Sequence, residues 1–322
     1  MENLDKHVPR SASKEKRYVD FSPMHATDFG LQKQIVNVGD DPFTVYLKGS
    51  EGPVFLLLHG GGYTGLTWAC FAEEICAKID CQIVAPDLRG HGDTTTNDEL
   101  DLSADRQVQD IVEIYQALYG NRPTPPPLIC VGHSMGGALA VRLVNSQSLP
   151  NVIALGVIDV VEGSAMSALS AMPAIIRNRP ANFSSLEHAV RWSVESGMTR
   201  NVRAARISMP SQLCKDAFGN GYVWRINLGK TQPHWDGWFR GLSQTFLDCS
   251  SKQSIHSILI LANVDRLDKT LLTGQMRGMF QSEVLPKVGH AVHEDSPEQV
   301  AEIFIKFVNR YKVFFNKTKS PT

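Results

Sequence analysis

The chain has 322 residues, 43% hydrophobic and 20% charged, with 32 Lys+Arg against 33 Asp+Glu and a net charge of −1. This is the balance of a globule long enough to bury a full core, and it excludes a disordered or coiled-coil chain. No global field draws it to nucleic acid or an acidic membrane, and aliphatic runs such as Ile258-Leu259-Ile260-Leu261 are strand-sized, far short of a bilayer span.

Residues 1–19 are polar and rich in Lys and Arg, which predicts a flexible N-terminal tail. They carry no apolar stretch of the kind a secretory leader needs. The six cysteines form no Cys-x-x-Cys pair, as expected of thiols in a reducing compartment. The cytoplasm, with the nucleus as a second compartment, is the expected location.

From residue 31 onward short apolar strands alternate with helical stretches. Strands are predicted at 43–47 and 54–58, the second running into His59-Gly60-Gly61-Gly62. Thr67 is placed to cap a helix towards Ile79, with Trp68, Phe71, Ile75 and Ile79 on one face. A strand at 82–85 follows, then a helix over 103–119 opened by Ser103 and closed by Gly120. The prolines of 123–127 bar helix and lead to a strand at 128–131, a helix over 136–145 and a strand at 152–158. Strands at 257–262 and 282–285 and a helix over 297–311 complete the pattern.

Strands apolar on both faces, alternating with helices, predict an α/β fold: a mostly parallel central sheet flanked by helices. Residues 162–254 interrupt the alternation with four of the five tryptophans and no evident strand. They are expected to form a helical cap insertion over a core made of 20–161 and 255–312, with 313–322 as a C-terminal tail.

Gly132-His133-Ser134-Met135-Gly136 matches Gly-x-Ser-x-Gly between a predicted strand and a predicted helix, the setting of a nucleophile elbow. The turn requires Gly132 and Gly136, where a Cβ would collide with the neighbouring strand or helix. Ser134 is therefore the expected nucleophile. Backbone N–H groups of Met135 and of Gly61 or Gly62 are the expected oxyanion donors. The base is expected to be His290, just before the closing helix, rather than His293. A metal held by His290 and His293 lacks a third ligand motif. His91 and His133, beside functional loops, read as structural hydrogen-bonding residues. For the acid, strand order points to Asp265, while Asp159, one strand earlier, reaches the same imidazole. Met135, Met166, Trp192, Trp235 and Trp238 are candidates for a substrate pocket, with ordinary core packing as the competing role of each.

Several longer stretches carry a resemblance. Ile158-Asp159-Val160-Val161-Glu162-Gly163-Ser164-Ala165-Met166, Trp235-Asp236-Gly237-Trp238-Phe239-Arg240-Gly241-Leu242 and Gly289-His290-Ala291-Val292-His293-Glu294-Asp295 join the glycine loop and the elbow. Together with Val264-Asp265-Arg266-Leu267-Asp268 they resemble the protein phosphatase methylesterase family of α/β-hydrolases, over about residues 18–311. The resemblance implies an α/β-hydrolase fold and a serine carboxylesterase acting without a cofactor. It further implies, as substrate and partner, the protein phosphatase 2A catalytic subunit with a methyl ester on its carboxyl-terminal leucine. It also implies Asp159 as the triad acid. The chain departs from animal members in having only a short segment, 210–221, where they carry a long acidic insert before Tyr222-Val223-Trp224-Arg225. The competing functions are a general small-ester carboxylesterase and a phosphatase-binding regulator with secondary esterase activity.

Overall fold

The computed structural model describes residues 19–263 and 267–311. Asp265, the two expected tails apart from Val19, and residue 312 lie outside the described residues.

Eleven strands and twelve helices are present among the described residues. The chain begins with β1 (Gln32–Val38), β2 (Asp41–Lys48) and β3 (Val54–Leu58), then α1 (Ala69–Cys76), β4 (Gln82–Pro86), α2 (Ala104–Tyr119), β5 (Leu128–His133), α3 (Met135–Ser146) and β6 (Val152–Ile158). The insertion contributes α4 (Glu162–Ala168), α5 (Met172–Arg177), β7 (Asn182–Phe183), α6 (Leu186–Glu195), α7 (Val202–Ser211), β8 (Leu213–Lys215), β9 (Tyr222–Trp224), α8 (Gln232–Phe239) and α9 (Leu242–Gln253). The chain closes with β10 (His256–Leu261), α10 (Lys269–Met276), β11 (Gln281–Val284), the one-turn α11 (Val292–Asp295) and α12 (Pro297–Arg310).

Eight strands form one sheet in the order β1-β2-β4-β3-β5-β6-β10-β11. The pairings of β1 with β2 and of β2 with β4 are antiparallel, and the rest are parallel. Parallel strands are covered on both faces, so they read as continuous apolar runs. In β3, Val54, Leu56 and Leu58 join the core under α2, α3 and α9, while Phe55 and Leu57 join the core under α1 and α12. The period of two along a strand divides one apolar segment between two layers.

The insertion differs from its expected form in two ways. Strands β7, β9 and β8 form a small antiparallel sheet around a cluster that includes Phe183, Val190 and Met209. They escape sequence reading because strands of two or three residues show no periodicity. In addition, α9 packs into the core beside α3 through Leu242, Phe246 and Leu247, so the last part of the insertion covers the sheet. Near the N-terminus, the side chain of Thr64, not Thr67, caps a 3-10 turn at Gly65–Trp68 ahead of α1.

Candidate active site

The turn from β5 into α3 places Ser134 at φ 53° and ψ −120°, a conformation held only where packing demands it. A Cβ on Gly132 would lie 2.0 Å from the Gly136 carbonyl oxygen, and one on Gly136 would lie 2.2 Å from that of Leu58. Both glycines are thus dictated by backbone crossing backbone. At the end of β6, Asp159 also takes positive φ, at 51°. This residue type tolerates the left-handed region better than most.

Asp159 is 2% exposed. Its Oδ1 accepts the Ala262 N–H at 3.0 Å, and its Oδ2 lies 2.8 Å from Nδ1 of His290. The imidazole of His290 is about half exposed. Carboxylate and ring therefore meet at the carboxyl edge of the sheet, one from the end of β6 and the other from the segment after β11, and the aspartate is paired with His290, not His293. Ser134, Asp159 and His290 line the same cavity. No hydrogen bond joins the Ser134 hydroxyl to His290 in this structure.

A ring of buried histidines supports the loops. His133 donates from Nε2 to the main-chain carbonyl of His290 at 2.9 Å, fixing the backbone that carries that imidazole. His91 bonds the Arg89 carbonyl through Nδ1 at 2.8 Å and accepts the Gly62 N–H at Nε2 at 3.0 Å. Accepting that bond requires neutral imidazole, and burial holds His91 down at about 4. His293 is fully buried, bonded to Thr67 and pushed down to about 3, again by burial first. The segment around His290 is clamped further on. Glu294 accepts hydrogen bonds from the hydroxyls of Thr67 and Thr199, and Asp295 accepts the N–H groups of Arg200 and Gly289.

One oxyanion expectation needs correction. The Gly62 N–H is already donated to His91, so it is not available to a substrate. Gly61 lines the cavity beside Met135. As the first residue of α3, Met135 has an N–H without a partner inside the helix.

The cavity has a volume of about 580 Å³. Trp235 and Trp238 form part of its wall, their indole N–H groups bonded to the Thr231 hydroxyl and the Leu102 carbonyl. Met166 and Trp192, also expected there, do not line it. Met166 packs against the main core, and Trp192 packs with Phe183 and Trp224 in the small cap cluster. In their place stand residues that sequence reading passed over, chiefly Tyr63, Ala165, Met172, Ile176 and Leu228. For Ala165, Met172 and Ile176 the one signal is the small and apolar character of α4 and α5, which equally describes core helices, and Tyr63 and Leu228 lie outside both helices. Among the described residues no cluster of three or more His, Cys, Asp or Glu side chains is arranged to hold a metal ion. None of their helices is long and apolar enough to cross a membrane.

Comparison with known proteins agrees with this fold. The Alpha/beta hydrolase family model matches residues 55–303. A probable protein phosphatase methylesterase 1 of Caenorhabditis elegans is 49% identical, over 95% of this chain and 82% of its own length. Protein phosphatase methylesterase 1 of Homo sapiens is 44% identical over 91% and 86%, and that of Schizosaccharomyces pombe 38% over 81% and 75%. Among solved structures, E-2-(acetamidomethylene)succinate hydrolase superposes with a TM-score of 0.70 at 22% identity, covering 87% of this chain and 99% of its own. A thioesterase domain from the curacin biosynthetic pathway gives 0.66 at 21%, covering 86% and 99%. These two likenesses concern the fold alone.

Proposed function

The chain belongs to the protein phosphatase methylesterase family of α/β-hydrolases, and we propose that it removes the methyl ester from the carboxyl-terminal leucine of the protein phosphatase 2A catalytic subunit. The observation that carries this reading is the Asp159–His290 hydrogen bond opening onto the same apolar cavity as Ser134. The names of the relatives supply the substrate class.

In the proposed reaction His290, its Nδ1–H held by Asp159, takes the Ser134 proton at Nε2 as the hydroxyl attacks the ester carbonyl. The oxyanion is received by the N–H groups of Gly61 and Met135, each worth about 3–4 kcal/mol of barrier. His290 returns the proton to the departing methoxide, which leaves as methanol. Water, activated by the same imidazole, then frees the acyl group as a carboxylate, and no cofactor takes part. An apolar wall built from α4, α5 and α8 suits a leucine side chain.

The test is methyl release from carboxymethylated phosphatase 2A catalytic subunit by the wild-type protein and by Ser134→Ala. The wild type should release methanol, and the variant should retain less than about a thousandth of that rate. A variant that still turns over at a larger fraction refutes the nucleophile. Rapid hydrolysis of short esters with indifference to the methylated phosphatase refutes the substrate.

A further inference from the structure

Outside the cavity lining, at the connection from α1 to β4, the Sγ atoms of Cys76 and Cys81 lie 3.4 Å apart. We propose that these two thiols form a reversible oxidation site, with Cys76 as the peroxide-reactive sulfur and Cys81 as the sulfur that resolves it into a disulfide. The assignment does not depend on the esterase reading.

Three observations carry it. A disulfide has a sulfur–sulfur distance of about 2.05 Å, so the pair must close by little more than ~1.3 Å, within reach of a side-chain rotation. The backbone at Cys81 is closely packed: a Cβ on Gly49 would lie 2.0 Å from the Cys81 carbonyl oxygen, and one on Gly52 would lie 2.1 Å from that of Asp80. The two sulfurs also differ in the sense the chemistry requires. Cys76 is partly exposed, whereas Cys81 is 3% exposed. The hydrogen bond between the two sulfurs and the nearby Lys48 ammonium hold the Cys76 thiol below its ordinary range, while the same hydrogen bond and burial push Cys81 up. A more accessible thiol beside a buried partner is the arrangement of a sensor cysteine with its resolving cysteine.

With hydrogen peroxide as oxidant, the Cys76 thiolate attacks one peroxide oxygen. An S–O bond forms, the O–O bond breaks, and the hydroxide released takes up a proton to leave as water. Cys81, giving up its proton, then attacks the sulfenic sulfur, and the hydroxyl leaves with that proton as a second water. The two thiols lose two electrons and peroxide gains them. A dithiol reductant reverses the change by exchange.

The test uses the full chain, treated with hydrogen peroxide under native conditions, alkylated and digested with trypsin. Cleavage after Lys48, Lys78 and Arg89 puts Cys76 in the peptide 49–78 and Cys81 in the peptide 79–89. The expected result is a cross-linked pair of these peptides that dithiothreitol dissolves. It should be absent from Cys76→Ser and retained in Cys70→Ser and Cys214→Ser. In Cys81→Ser, Cys76 should accumulate sulfenic acid that dimedone traps, with the circular dichroism spectrum unchanged. Peroxide treatment that leaves Cys76 unmodified, or carries it to sulfinic acid with no link to Cys81 in the folded wild type, overturns the proposal. So does linkage of either thiol to Cys214 instead.

Discussion

At the scale of single residues, the site depends on side chains held in unusual backbone conformations. Ser134 and Asp159 both have positive φ, one at the end of β5 and the other at the end of β6. For Asp159 this separates two kinds of damage. Asparagine accepts the left-handed region and keeps the Ala262 contact, but it does not hold the Nδ1–H tautomer of His290 with a negative charge. Asp159→Asn is therefore expected to melt within a few degrees of wild type and to lose about 10⁴-fold in kcat. A steady-state assay beside a melting curve checks this. A variant that keeps most of its turnover would remove Asp159 from the reaction and return attention to Asp265.

At the scale of elements, α3 joins chemistry to cap. It starts directly after Ser134, the proposed nucleophile, and its Arg142 donates to the carbonyls of Gly237, Trp238 and Arg240 at the end of α8, the helix that brings Trp235 and Trp238 to the cavity. These carbonyls end a helix and have no intrahelical partner, and a cation there also complements the helix dipole. Arg142→Ala should cost about 1–3 kcal/mol in stability and raise KM for the methylated phosphatase more than it lowers kcat. A fall in kcat with unchanged KM would contradict this role for α8.

The same scale shows what the sequence makes legible. Strands β3, β5, β6 and β10 are readable because burial on both faces leaves unbroken apolar runs, and the elbow is readable because backbone crowding demands glycine at 132 and 136. Ser103 reads correctly as a cap because its side chain accepts the Arg106 N–H. Strand β1 is not legible: only Val36 in it is buried, and at the sheet's edge there is no alternation to see. The fate of the Gly62 N–H is equally hidden, since its acceptor, His91, arrives from the loop after another strand. Met166 and Trp192 have the apolar character a pocket wall needs, but residue type does not say whether a side chain faces the cavity or the packed core.

At the scale of the whole molecule, core and cap are fastened through the segment that carries His290. Glu294 is completely buried, accepts the hydroxyls of Thr67 from the core and Thr199 from the cap, and has neutral His293 as its neighbour. Burial raises its carboxyl to about 7. Because the folded value lies above the unfolded one, this group's stability is fully present below about pH 4.5 and is lost as pH rises through 7. Glu294→Gln removes that titration. The stability of Glu294→Gln minus wild type should therefore rise between pH 4 and pH 8, by roughly 3 kcal/mol across the window. Denaturant melts across that range check it, and a difference independent of pH would mean that Glu294 is not held neutral by burial.

The central claim is that one alcohol on the β5–α3 turn is the nucleophile, activated by the imidazole delivered from the far end of the chain. Its most direct measurement is the mass spectrum of the intact protein after treatment with an alkyl fluorophosphonate, with the labelled peptide sequenced. One adduct on Ser134 is predicted, with labelling strongly slowed in His290→Ala and methylesterase activity lost in step with it. Labelling at another serine, or full activity in protein already labelled at Ser134, would contradict the account.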